Sequence, residues 1–481
     1  MSSNDLFVLL PLVVLIGWAI LLLLVDLWIP EKRKGYVALL AAIGLVAALV
    51  LTLLQVGQPT QVAFNTMIVR DGFSLFLDVI FLMSALAGVA LAYDYLKRMG
   101  IERGEYYSLL LFTTAGMMLM ASAYDLIIVF LALELLSIPL YVLAGFARPR
   151  PDSEEASLKY FLLGAFASGF VLYGVALIFA ATAHTDLLGI IAVVTGSASL
   201  NYALFLAGSV FFLVGFGFKI AAVPFHMWVP DVYQGAPSPV TGFMSVGAKV
   251  AGFAALLRIF TLVFPSLSAD LTPVLWGLSA VTMIGGNILA LAQKNIKRLL
   301  AYSSIANAGY LLMALVPYGN QQVAAQSVSA MLFFLAAYGL TSLGAWAVVI
   351  ALEHDDAQGL LVDDYAGLGR KSPLMALAMA IFMFSFTGVP PTLGFWGKFF
   401  LFTTTVNGGF IGLALIGLLT SLFSAYYYLR VVVVMYMRPG EPVVRRDLWL
   451  GLLAGGSAVL VVGLAFYPTP LLALAASAGI R

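Results

Sequence analysis

Four ionisable side chains in this sequence stand where a greasy helix has least use for them. Glu134 lies inside the apolar run IVFLALELLSIPL, nine residues beyond Asp125 and so about 13 Å along a helix. Lys249 lies ten residues beyond Pro239, about 15 Å in. Lys219 and Lys398 sit in apolar runs interrupted by prolines and glycines, and His226 follows the first interruption. A charge at the centre of a bilayer costs at least about 2.5–3.5 kcal/mol, so such groups line water-filled paths or pair with one another. Carboxylate, ammonium and imidazole are also the groups that can hold and release a proton near neutral pH. Desolvation weakens a lysine's hold on its proton and a nearby carboxylate strengthens it. A Glu134–Lys219 pair that forms and breaks would therefore work as a switch, with Lys249 and Lys398 passing the proton on through water. His226 admits two roles, a relay or a capping donor. Arg258 and Arg430 keep their protons, and they are expected to snorkel or to pair structurally.

These residues need helices to hold them at depth. The chain has 481 residues, 62% hydrophobic and 10% charged, against about 45–50% and 25% in soluble domains. Lys and Arg outnumber Asp and Glu by one, which excludes a basic nucleic-acid binder. With no cysteine there is no thiolate cluster or zinc site, and His184, His226 and His354 are too scattered for a haem. Apolar runs of spanning length fall at 6–27, 36–56, 73–96, 107–122, 125–146, 158–183 and 203–229. They continue at 239–264, 272–291, 299–316, 324–352, 373–406, 408–437 and 447–467. The fold expected is thus an all-α polytopic membrane protein of about 14 transmembrane helices. Every Lys or Arg outside these runs, except Arg70 and Arg481, then falls on one set of alternating loops. That asymmetry puts both termini on the non-cytoplasmic side.

Two of the runs are too long for one span and too short for two: 203–229 would reach about 40 Å and 373–406 about 50 Å. They share a pattern, Val223-Pro224…Trp228 and Val389-Pro390…Trp396, and stand five spans apart as helices 7 and 12. A repeat of five helices must be inverted in the membrane, and paired broken helices point to an ion path. The expected organisation is one membrane domain over 1–481. Within it, 1–98 holds helices 1–3, 107–264 and 272–438 are the inverted five-helix repeats, and 447–467 is helix 14. Asp78 and Asp94 are read as surface or packing groups, His184 as solvated, and Glu353-His354-Asp355-Asp356 as a solvated cytoplasmic face.

Three stretches carry a family resemblance. FHMWVPDVYQGAPSPVTGFMSVGAKVAGFAALLRIF (225–260), QKNIKRLLAYSSIANAGYLLMAL (293–315) and PPTLGFWGKFFLF (390–402) resemble the antiporter-like subunits of respiratory complex I, the NADH:quinone oxidoreductase. The residues Val232-Tyr233-Gln234-Gly235, and lysine rather than glutamate at Lys398, are similar to the N subunits rather than to L or M. The resemblance implies a relay of Glu134, Lys219, Lys249 and Lys398, with His226 close by. One departure is Ala248, where the family usually has proline. It further implies a proton-pumping subunit with no cofactor of its own, since flavin, iron–sulfur clusters and quinone belong to partner subunits. The implied partners are the other complex I membrane subunits and the lipid bilayer, with no nucleic acid, and the implied location is a bacterial plasma membrane. A cation/proton antiporter subunit, or a subunit of a related quinone reductase or hydrogenase, would use the same path with another driving partner.

Overall fold

In the computed structural model, residues 3–196, 200–354 and 358–480 are described. They are almost wholly helical. The chain opens with α1 (Ser3–Asp26) and α2 (Gly35–Leu54), then a short antiparallel hairpin (61–63 with 68–70), then α3 (Gly72–Arg98). Next come α4 (Glu105–Ser122), α5 (Leu126–Ala144), α6 (Pro151–Thr182) and the short α7 (Leu187–Thr195). The middle holds α8 (Tyr202–Ile220), α9 (Trp228–Gly235), α10 (Ser238–Leu262), α11 (Ser268–Leu291), α12 (Ile296–Leu315) and α13 (Gln321–Leu352). The last third holds α14 (Leu368–Lys371), α15 (Pro373–Thr387), α16 (Leu393–Asn407), α17 (Ile411–Met437), α18 (Leu448–Phe466) and α19 (Thr469–Ser477).

Twelve helices among the described residues are long and apolar enough to cross a membrane. The expected fourteen differ from this in two places. α4 opens on Glu105-Tyr106-Tyr107-Ser108, which dilutes its apolar character, and the run 373–406 is divided between α15 and α16, each of 15 residues.

Both long runs do break. α8 stops where Ala221 enters the left-handed region at φ 65°, and α9 restarts at Trp228. α15 stops at Gly388, φ 88°, and α16 restarts at Leu393. Backbone groups freed by a break inside a membrane must find partners within the protein. Accordingly the Val223 N–H donates to Thr282 Oγ1 (3.0 Å), and the Gly394 N–H donates to Ser385 Oγ (3.2 Å).

Burial separates the helices into two shells. α10 is buried along its whole apolar stretch, and α12 and α13 nearly so, whereas α1, α2, α11, α17 and α18 keep large apolar side chains outward. An outer ring of helices around these three keeps the polar groups along their buried stretches away from the outer surface.

Several readings of the charges change here. Asp78 is fully buried and paired with Arg70, which the hydropathy pattern left in a loop. The hairpin folds that loop back over α3 and carries Arg70 inward. Glu353 is likewise buried, accepting a hydrogen bond from Tyr95 Oη (3.1 Å), so it is no part of a solvated face. Asp355 and Asp356 lie outside the described residues, as does Arg481. Lys297, read as a loop cation, is buried at the start of α12 and donates to the Ala236 carbonyl (2.8 Å). Asp94 stays partly exposed beside Arg98, and His184 is exposed beside Asp186.

Candidate functional site

The three lysines occupy the interior, each at most 5% exposed. Lys219 sits in the last turn of α8, just before the break. Its ammonium donates to Ser137 Oγ (2.8 Å) and Tyr160 Oη (3.3 Å), and lies 5.6 Å from the Tyr160 ring centre. Tyr160 is held in turn by Trp228, the first residue of α9, whose ring stacks on it at 4.5 Å and 12°. Trp228 Nε1 donates across the break to the Phe218 carbonyl (3.0 Å). The second half of the broken helix thereby fixes the tyrosine that positions the lysine of the first half.

Glu134 lies on α5, one turn before Ser137 and on the same face. It is half-buried, and its Oε1 has no hydrogen-bond partner among the described residues. No ion pair joins it to Lys219 within 4 Å; Ser137 takes the lysine instead. Glu134 and Lys219 thus stand apart, with Glu134 one helical turn from the serine that holds the lysine.

Lys249 projects from the middle of α10 to Ser304 on α12, donating to both its carbonyl and its hydroxyl oxygen. Ser304 Oγ also accepts from Tyr338 Oη (3.1 Å), and the Tyr338 ring centre is 5.7 Å from the ammonium. Lys398 follows the second break. It donates to the Thr387 carbonyl (3.0 Å), left free by the end of α15, and to Ser421 Oγ (2.8 Å), with the Tyr310 ring 4.7 Å away. A cation at a helix C-terminus is the favourable arrangement. Beside Lys398, Asn307, Tyr338, Thr341 and Ser385 line a small cavity of about 10 Å³, room for about one water molecule.

One rule covers all three positions: a buried ammonium, a serine hydroxyl, a tyrosine face, and no carboxylate within 4 Å among the described residues. His226 lies half-buried in the first break; its Nδ1 has no partner there and it bonds to none of the lysines. The sequence reading missed Ser137, Tyr160, Ser304, Tyr310, Tyr338 and Ser421. Their one signal is a hydroxyl at a helix-interior position, and hydroxyls are ordinary in membrane helices.

Gly388 shows how tight the second site is. Its φ of 88° is one that side chains avoid, and a Cβ there would stand 2.9 Å from Lys398 Cδ. Gly388→Ala is expected to cost about 1–2 kcal/mol from the backbone alone and to displace the lysine. A lowered thermal midpoint of the assembled protein, with reduced proton transport, is the measurable result.

Residues 123–424 match the family model described as NADH:quinone oxidoreductase/Mrp antiporter, TM. NADH-quinone oxidoreductase subunit N of Trichlorobacter lovleyi is 49% identical over 440 residues, covering 92% of this chain and 89% of its own. The subunit of the same name from Chloroflexus aggregans is 46% identical, covering 98% and 96%. Among solved structures, a chain of respiratory complex I from Thermus thermophilus superposes with a TM-score of 0.83 at 38% identity, covering 97% of this chain and 99% of that one. A chain of the Mrp complex from Dietzia sp. DQ12-45-1b reaches 0.87 at 20% identity, covering 99% and 97%. Shape alone does not separate the two kinds of machine, whereas identity does. The chain belongs to the NADH:quinone oxidoreductase/Mrp antiporter membrane family, on the branch of the NADH-quinone oxidoreductase N subunits.

Proposed function

We propose that this chain is the proton-translocating N-type membrane subunit of an NADH:quinone oxidoreductase, moving protons through Glu134, Lys219, Lys249 and Lys398. The observation that carries the reading is the row of three buried ammonium groups with no carboxylate within 4 Å among the described residues, each seated on a hydroxyl and set beside a helix break or in the central helix. Such groups are costly as structure and useful as proton carriers. Electrons pass from NADH to quinone through flavin and iron–sulfur clusters in partner subunits, and this chain converts that energy into proton movement. Within it, 1–98, the inverted repeats 107–264 and 272–438, and 447–467 form one domain of fourteen spans. Its place is the bacterial plasma membrane, with both termini on the non-cytoplasmic side.

Mechanistically, the Glu134 carboxylate and the Lys219 ammonium attract each other more strongly as water leaves the space between them. Closing that gap holds the proton on Lys219; opening it, with Ser137 taking the lysine, releases the proton toward Lys249. Hydroxyls suit this role because a serine or tyrosine oxygen accepts one proton while donating another. His226, in the break beside Lys219, is placed to exchange protons with water there.

The test uses the whole complex in sealed, inside-out vesicles, following NADH-driven quinone reduction and inward acidification together. Glu134→Gln keeps the shape and removes the charge. With assembly intact, both rates are expected to fall about three- to tenfold, roughly 0.7–1.4 kcal/mol in barrier. A chain serving only as scaffold would pump at the normal rate.

A further inference from the structure

A relay of lysines needs a door to the side from which protons are drawn. At the end of the bundle that carries the basic loops, a second set of buried polar groups lies outside the lysine row. Glu353, which caps the end of α13, is 4% exposed. Its Oε1 accepts from Tyr95 Oη, while its Oε2 is buried with no partner among the described residues. The Tyr95 hydroxyl in turn receives the Ser238 N–H (3.5 Å) at the first residue of α10. The Ser238 hydroxyl is fully buried and also has no partner among the described residues.

From Ser238 the hydroxyls continue along one face of α10. Ser238, Thr241, Ser245 and Lys249 follow at spacings of three, four and four, the interval that puts side chains on one face of a helix. The run covers about 16 Å. Ser245 Oγ meets Ser342 Oγ of α13 at 3.1 Å. Neighbouring positions on such a face lie about 5–6 Å apart, which is two hydrogen bonds through one water.

We propose that Glu353 is the proton-accepting group at the cytoplasmic mouth and that Ser238, Thr241 and Ser245 carry its proton to Lys249. This rests on the lysine-relay reading above. The Glu353 carboxylate takes a proton from water at the mouth and becomes the acid. It gives that proton to the chain of hydroxyls and waters, each oxygen accepting one and passing its own forward. The last hop turns the Lys249 amine into ammonium, and Glu353 returns to carboxylate, so one proton enters and one arrives. Glu353 stands among phenols and cations, with Asp152 near Lys297 and Asp364 near Tyr365 as the further acids around them. Tyr95 and the Arg98 guanidinium come from α3, the latter bound to the Glu353 and Ile350 carbonyls. Arg150, Lys297 and Tyr365 stand around it from the loop before α6, from α12 and from the turn after α13.

The experiment uses the assembled complex in the same vesicles, with Glu353→Gln, Glu353→Asp, Ser238→Ala and Lys249→Met. Glu353→Gln is expected to slow quinone reduction and acidification about tenfold at pH 8 and much less at pH 6, because protons must then reach the path from bulk water. Glu353→Asp, or added formate, is expected to restore most of the rate. A merely structural anchor predicts a loss that is equal at both pH values and unmoved by formate, and that result overturns the proposal, as does a normal rate. Should Glu353→Gln fail to assemble, Ser238→Ala decides. Its hydroxyl holds nothing in place, so a several-fold loss supports the path and an unchanged rate overturns it. Lys249→Met separates the two levels. If it pumps normally, the relay reading fails and the door with it; if it is dead while Glu353→Gln is normal, only the door fails.

Discussion

Replacing Lys249 with methionine is expected to abolish proton movement through this chain, with at least a tenfold loss of coupled turnover. Methionine keeps the length and volume of the lysine stem inside a core that tolerates such swaps at under about 1.5 kcal/mol, so the loss is one of charge and proton capacity rather than of packing. The position has no understudy. α10 is buried along its apolar stretch, and among the described residues the ammonium is held by Ser304 on α12 and the Tyr338 face on α13. Proton-transfer groups in working positions contribute about 10²–10⁴ in rate. The check is vesicle acidification per quinone reduced, measured on complex whose subunit composition is intact. Arginine at the same place is expected to do little better than methionine, because it holds its proton at any working pH.

The largest effect on stability is expected at Asp71. Its carboxylate accepts from both terminal nitrogens of Arg258 (2.9 and 3.0 Å) and from the Ser74 N–H (2.9 Å), capping α3. The pair is almost completely buried, 2% and 0% exposed. Arg258 also donates to the Ala121 carbonyl at the end of α4 (2.9 Å) and lies 4.9 Å from the Phe73 ring centre. One guanidinium thus ties the far end of α10 to α3 and α4. Asp71→Asn strands that cation in the interior, at a cost of about 3–5 kcal/mol. The expected result is poor assembly and a sharply lower thermal midpoint, while the fraction that does assemble still pumps. Adding Arg258→Met should recover most of the loss, since removing both members of a buried pair is often neutral. A double-mutant cycle reads this directly. If the double variant is as unstable as Asp71→Asn alone, the damage lies in the lost α3 cap and not in the stranded charge.

Both predictions turn on residues whose importance the sequence shows unequally. Lys249 stands out because no loop can be drawn near it: nine apolar or small residues separate it from Pro239. Arg258 is visible as a charge within a span, but its partner Asp71 looks like an ordinary loop acid. The same holds for Asp78 with Arg70. A charge within a turn of a helix end can reach water by snorkelling, so hydropathy alone reads it as surface. Whether it does reach water depends on what folds over that end, here a hairpin between α2 and α3 that no run of hydrophobicity announces.

The sequence by itself determined the helical membrane architecture, the two breaks with Lys219 and Lys398 beside them, the distance of Glu134 and Lys249 from the ends of their runs, and the family, because each follows from spacing along one chain: the reach of a helix across lipid, a proline that stops it, a motif of fixed order. Only the tertiary structure decided what each lysine touches. Ser137, Ser304 and Ser421 come from other helices than the lysines they hold, and Tyr160, Tyr310 and Tyr338 from others again. It also decided that Glu134 and Lys219 stand apart and that Glu353 faces inward. The physical reason is that depth is a property of one helix, while a hydrogen bond between helices depends on the rotation and tilt of two. Those are set by packing over the whole interface and leave no mark in the spacing of either.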